Sequence, residues 1–167
     1  MGSFTEHEGT LDGSTARVAI VAGRFNDHVT KPLLEGCLEA LDAHGVSSEA
    51  IDVSWVPGAF ELPVVAKRLA GSGVADAVIC LGAVIRGDTP HFEYVAGECA
   101  AGVMRASLET GVPIVFGVLT TDDLDQAMAR AGGEHGHKGR EAAVTALEMI
   151  SLLRDLPGGD AAESGRT

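Results

Sequence analysis

The sequence predicts an α/β domain with a mainly parallel sheet and helices on both faces. Three observations carry this. Apolar runs of strand length alternate with segments of helical periodicity along nearly the whole chain. The apolar runs are almost unbroken, which leaves no wet face and fits strands covered on both sides. The chain has 167 residues, 46% of them hydrophobic, which suits one domain with a sizeable core, and no internal repeat or linker divides it.

Taken in order, "RVAIVA" (Arg17–Ala22) is a short β-branched run and the first strand. From Asp27 to Gly45 the positions Val29, Leu33, Leu34, Cys37, Leu38 and Leu41 recur at helical spacing, and Gly45 supplies the stop. Pro32 makes that helix start late or bend in its first turns. "IDVSWV" (Ile51–Val56) is the second strand, and after "PGAFELP" a short helix runs through "VVAKRLA". "DAVICLGAVI" (Asp76–Ile85) is a strand too apolar for a solvated face. A long helix follows from about Pro90 to Thr110, then a buried strand at Pro113–Thr121, a short helix in "DDLDQAMARAG" and a closing helix in "HKGREAAVTALEMISLLRDL". Residues 1–16 read as an N-terminal arm, 17–156 as the single domain, and 157–167 as a flexible tail.

With 24 acidic and 12 basic residues the formal charge is −12, which lacks the basic footprint of a nucleic-acid binder. It does not exclude a phosphorylated small molecule, which local cations and backbone N–H groups can hold. Cys37, Cys80 and Cys99 follow no metal spacing and sit in apolar stretches, as buried thiols of a reducing compartment do. "MGSFTEHEGT" is neither a signal peptide nor a myristoylation site, since position 6 is Glu. No run reaches membrane-spanning length, so neither a membrane nor a nucleic acid is an expected partner, and the expected location is cytoplasmic. The small residues of "AGECAAGVMRAS" suit a helix packed closely against neighbours, other subunits included.

In an open parallel sheet, ligands bind beyond the carboxyl ends of the strands. Phe25 follows the first strand, Glu61 the second, and "RGDTPH" the third; "TTDD" follows the fourth, which contains Phe116. Thr89 can cap a helix whose first residue is Pro90. The first-turn N–H groups then face the crevice and favour an anion, with the backbone of Asp88 still able to donate. His91 falls in that first turn, where the dipole favours a neutral ring able to take a proton. Plainer readings stand beside these. Thr-Pro is a common cap, a first-turn His is often a surface residue, Phe116 fits a core, and Glu61 can complement a dipole. Arg130 and Lys138 can be solvated charges. "HGH" (His135–His137) lacks a third metal ligand, "GHKG" is no P-loop, and "GSGVAD" precedes a strand instead of following one. The residues themselves support an α/β domain with an anion-binding strand end.

The ordered set "GRFND", "WVPGAFELP", "GAVIRGDTPHFEYV", "GVPIVFGVLTT", "RAG" and "HKG" resembles the 6,7-dimethyl-8-ribityllumazine synthase family, across roughly Arg17 to Leu153. The resemblance implies a flavodoxin-like three-layer sandwich and the penultimate step of riboflavin synthesis. There, 5-amino-6-(D-ribitylamino)uracil condenses with 3,4-dihydroxy-2-butanone 4-phosphate, releasing phosphate and water. It implies that Phe25 stacks on the pyrimidine, that Ala59, Phe60 and Glu61 hold the ribityl chain, and that Ala83, Val84 and Ile85 line the pyrimidine pocket. It also implies that Asp88 and Thr89 meet the phosphate through their backbone and that His91 transfers protons. By the same resemblance, Phe116 and Arg130 would be lent by a neighbouring subunit, to the pyrimidine and the phosphate respectively, with Lys138 near that phosphate. It further implies no cofactor, no metal, and a homopentamer or a shell of twelve pentamers able to enclose riboflavin synthase. Two alternatives share the fold. An archaeal-type riboflavin synthase has no use for a phosphate site, and a non-catalytic flavin- or lumazine-binding protein could dispense with His91 or Arg130.

Overall fold

The computed structural model describes residues 2–158. Four strands form a parallel sheet: β1 (Val18–Gly23), β2 (Ile51–Val56), β3 (Ala77–Ile85) and β4 (Ile114–Thr121), in the order β2-β1-β3-β4. The helices are α1 (Asp27–Ala43), α2 (Leu62–Gly71), α3 (His91–Thr110), α4 (Leu124–Arg130) and α5 (Lys138–Asp155). A small antiparallel hairpin, β5 (Ala131–Gly133) with β6 (Gly136–His137), joins α4 to α5. The described residues thus have the expected α/β class and a flavodoxin-like three-layer plan.

Strand alternation explains the layers. Val18, Ile20, Ile79 and Leu81 point to the face covered by α1 and α5, while Ala19, Val21, Val78 and Cys80 point to the face covered by α2 and α3. β1 is buried throughout, as its unbroken apolar run predicts. Leu33, Leu41, Leu62 and Leu147 carry the helical contribution to the two cores. Each such side chain contributes about 1.5–3 kcal/mol on leaving water.

Small residues set the closest approaches. At the first turn of α5, a Cβ on Gly139 would lie 2.0 Å from the Leu33 carbonyl oxygen of α1, so only a glycine fits. Nearby, the ring of His137 fills the space where a Cβ on Gly36 would stand, 2.1 Å from its Cε1. Cys37, Cys80 and Cys99 are all free and fully buried. Burial pushes the thiol of Cys37 up to about 12 and that of Cys99 up to about 11. It raises Cys80 too, with Cys99 nearby adding to the effect.

Several boundaries differ from expectation, each for a physical reason. α1 starts at Asp27 despite Pro32, which lies inside it and forgoes only one early backbone bond. α2 begins two residues early because Pro63 suits a first helical turn. α3 begins at His91, not Pro90: Pro90 has ψ 7° and takes the cap position itself. The Thr89 hydroxyl still accepts the His91 N–H, at 3.4 Å. α4 ends at Arg130, because Ala131–Gly133 turn into β5. Gly132 and Gly136 have φ of 104° and 84°, bends that a residue with a Cβ rarely adopts.

Among the described residues of the arm, Gly13 donates its N–H to the His44 carbonyl at 2.8 Å, and the Thr10 N–H reaches Ser151 Oγ of α5 at 3.0 Å. Of the expected tail, residues 159–167 lie outside the described residues. Among those described, no helix is long and apolar enough to cross a membrane.

Candidate active site

The register of the sheet builds a step. β1 ends its pairing at Gly23 with Val56 of β2 and at Ala22 with Leu81 of β3, whereas β3 and β4 run on together to Ile85 and Thr121. The extra residues Ala83–Ile85 stand as a wall above the ends of the shorter strands. The step lies between β1 and β3, where strand order reverses, which is the switch point at which open α/β sheets bind ligands.

A cavity of about 650 Å³ fills the step. Phe25, Ala59–Glu61, Ala83–Ile85, Thr89 and His91 all line it. The loop that presents Phe25 is held on two sides. The Arg24 and Phe25 N–H groups donate to the Val56 and Pro57 carbonyls, both at 2.9 Å. Asn26 then adopts the left-handed conformation (φ 61°, ψ 42°) and donates Nδ2–H to the Ala83 carbonyl at 3.0 Å. So held, Phe25 is 72% exposed, a large aromatic facing open space at the rim. Next to it a short 3₁₀ turn, Ala59–Glu61, follows Gly58. A Cβ built at Gly58 would lie 3.5 Å from Glu61 Oε2 and 3.6 Å from Phe25 Cβ, which places the carboxylate and the aromatic both close to that glycine. Phe60 is also exposed. The wall offers mostly apolar surface, with Glu61, Thr89 and His91 as convergent polar groups, a composition typical of small-molecule sites.

Four of the residues singled out in the sequence do not line this cavity. Asp88 is exposed in the loop beyond β3, next to Thr89. Phe116, Arg130 and Lys138 line a separate concavity of about 420 Å³, formed by β4, the end of α4 and the start of α5. Phe116 projects from β4, an edge strand of the sheet. The β5–β6 hairpin pairs Ala131 with His137, which brings the flanking Arg130 and Lys138 to one end of it. Arg130 Nη1 donates to the Gln126 carbonyl at 2.9 Å, and Lys138 Nζ pairs with Glu141 at 2.7 Å. One chain therefore carries an aromatic-lined cavity and, apart from it, a cationic one.

Sequence reasoning passed over two residues here. Asn26 is the only non-glycine residue with positive φ among those described, and Asn tolerates that conformation where most side chains do not. An Asn directly after a strand and before a helix is the signal that could have found it. Arg86, directly after β3, stands out in the sequence only as part of "RGDTPH". Its Nε donates to Asp122 at 3.0 Å, its Nη1 to Glu93, and its guanidinium carbon lies 4.3 Å from the centroid of the Phe92 ring. Those two carboxylates hold its proton more tightly than usual, Glu93 foremost. Glu93 is in turn held below the ordinary carboxylate range, chiefly by its bond to Arg86. Among the described residues no three His, Cys, Asp or Glu side chains gather as a metal site.

Comparison with known proteins agrees across most of the chain. Residues 15–154 match a family model described as 6,7-dimethyl-8-ribityllumazine synthase. A protein of that name from Protochlamydia amoebophila (strain UWE25) is 56% identical over 151 residues, covering 90% of this chain and 88% of that one.

Proposed function

The chain belongs to the 6,7-dimethyl-8-ribityllumazine synthase family, and on that premise we propose how its own residues divide the work. The reaction is the transferase step of riboflavin biosynthesis that condenses 5-amino-6-(D-ribitylamino)uracil with 3,4-dihydroxy-2-butanone 4-phosphate. The nucleophile is the amine of the pyrimidine substrate, so the protein needs no activated Ser, Cys or Lys. It must orient two substrates, grip a phosphate and move protons. Orientation in a fitted site can account for about 7–11 kcal/mol of barrier lowering.

The cavity in the step is the observation that carries the assignment, because it gathers Phe25, Ala59–Glu61, Ala83–Ile85 and His91 around one apolar volume. In our reading Phe25 stacks on the pyrimidine, Ala59, Phe60 and Glu61 take the ribityl hydroxyls, and Ala83–Ile85 form the slot for the ring. Asp88 and Thr89 meet the phosphate through their backbone just before α3, where the helix dipole favours an anion. Arg130, Lys138 and Phe116 complete the site of a neighbouring subunit; their placement in a second concavity supports that division. Incubation of the purified protein with both substrates tests the reading: the fluorescent lumazine should form only when both are present. Failure to form it under any buffer would overturn the assignment.

His91 is the proton carrier in this scheme. His91→Ala is expected to slow turnover by about 10–10³-fold without abolishing it, since orientation does most of the work. Steady-state rates with both substrates saturating decide this, and a wild-type rate would reduce His91 to a surface residue.

The same reading makes the protein a homo-oligomer in the cytoplasm, where free thiols stay reduced. Exposed Met104 and Leu108 on α3, and Phe116 on an edge strand, are surfaces that a neighbour would cover. The α4–α5 link is a short hairpin with two positive-φ glycines, compact enough to leave a pentamer–pentamer contact clear. We therefore expect a closed shell of sixty copies, able to enclose riboflavin synthase. For a chain of 17.1 kDa that is about 1 MDa, against about 86 kDa for a pentamer. Sedimentation at several salt concentrations separates these masses, and a single species at the smaller one would sink the shell.

A further inference from the structure

We infer that Arg86 is a positioning residue for the helix that carries His91. The inference rests on the reading of His91 as the proton carrier. Arg86 does not line the cavity, although its neighbours Ile85 and Gly87 do, so its side chain leaves the strand away from the substrate volume. There it gathers groups from separate parts of the chain. Glu93 lies in the first turn of α3, Asp122 in the turn after β4, and the Phe92 ring lies under the guanidinium. The Arg86 backbone adds a fourth tie, donating to the Thr121 carbonyl at 2.9 Å.

Phe92 and Val95 pack the start of α3 against the core, but few hydrogen bonds fix the direction of its first turn. Its cap residue is Pro90, which provides no side-chain hydrogen bond, and the Thr89 hydroxyl bond to the His91 N–H is long at 3.4 Å. Two of the first three residues of α3, Phe92 and Glu93, are in direct contact with Arg86. An isolated surface ion pair contributes little. A planar guanidinium that bridges two carboxylates and stacks on a ring is different, because it fixes direction as well as distance. That bracket sets where the first turn points, and therefore where the imidazole sits over the cavity. Both carboxylates already take guanidinium donors, so Arg86 is not a spare cation for the substrate phosphate despite lying two residues from Asp88.

A double-mutant cycle with His91 tests this. Arg86→Met, which keeps the apolar stem, should lower kcat roughly 10-fold while the KM values of both substrates change less than about 2-fold. In the His91→Ala background, Arg86→Met should change kcat no further, because the residue it positions is gone. Thermal melting and sedimentation establish that each variant is folded and assembled. If Arg86→Met fails to fold, Glu93→Gln and Asp122→Asn open one arm of the bracket each and enter the same cycle. An Arg86→Met loss that repeats in full on top of His91→Ala would overturn the inference. So would a rise confined to the KM of the butanone phosphate, which would make Arg86 a phosphate ligand. A wild-type rate for His91→Ala alone would instead remove the underlying reading, a result the single variant shows without the cycle.

Discussion

Arg130→Ala should raise the KM for 3,4-dihydroxy-2-butanone 4-phosphate by roughly 10–150-fold and leave the affinity for the pyrimidine substrate nearly unchanged. The magnitude follows from losing a hydrogen-bonded charge contact, about 1.5–3 kcal/mol. The selectivity follows from geometry: Arg130 and Lys138 line a concavity apart from the one that holds Phe25 and Ala83–Ile85. Equal loss for both substrates would count against the assignment. The same separation allows a sharper experiment. Subunits carrying Arg130→Ala and subunits carrying Phe25→Ala should each be poorly active alone. Co-assembled from denaturant in equal amounts, they should regain activity at about a quarter of the sites, the share of random ring neighbours that pair two intact halves. If mixed assemblies stay as inactive as their parents, each chain holds its site by itself.

The largest expected effect on stability comes from a residue with no side chain. Gly139→Ala places a methyl group 2.0 Å from the Leu33 carbonyl oxygen and 2.8 Å from its carbon. Both are backbone atoms of α1, which cannot turn aside as a flexible side chain would. Either α5 lifts away from α1 or the first turn of α5 unwinds. We expect a loss of about 3 kcal/mol, at the upper end for overpacking, and a fall in Tm of roughly 6–12 °C at fixed protein concentration. Gly71→Ala is the control. A Cβ there meets only Thr110 Cγ2, at 3.9 Å, and Tm should move by less than about 2 °C. If Gly139→Ala melts with the wild type, the contact between α1 and α5 at this turn does not limit stability. Because Lys138 directly precedes Gly139, the variant should also weaken the phosphorylated substrate, linking packing at this turn to the cationic half of the site.

How much of this could be read in advance depended on whether the cause was local. The runs "RVAIVA" and "DAVICLGAVI" announce buried strands because β-branched and apolar residues fill every position. The helical spacing of Val29, Leu33, Cys37 and Leu41 likewise predicts the face that α1 buries. Phe25, Glu61 and His91 are legible because they lie in the segments that follow strands, and all three line the cavity. The β5–β6 hairpin stayed hidden, since segments of three and two residues rich in glycine carry no side-chain period. The sequence predicts the start of α3 one residue early, because Pro90 fits both the cap and the first helical position. The role of Arg86 could not be read at all. Its partner Asp122 is 36 residues distant, and only the folded sheet brings the two turns together.

The buried thiols bear on how this protein can be watched as it opens. Cys37 lies in α1, Cys80 in β3 and Cys99 in α3, so they report on the central sheet and on both helical layers. Alkylating reagents attack the thiolate, and burial has pushed all three thiols up and away from solvent. Labelling of the native protein therefore has to wait for the chain to open. Each cysteine becomes an internal clock, and mass spectrometry of partly labelled protein reads the three clocks at once. Equal rates would mean that the layers part together, while an early Cys99 would mean that the α3 face opens first.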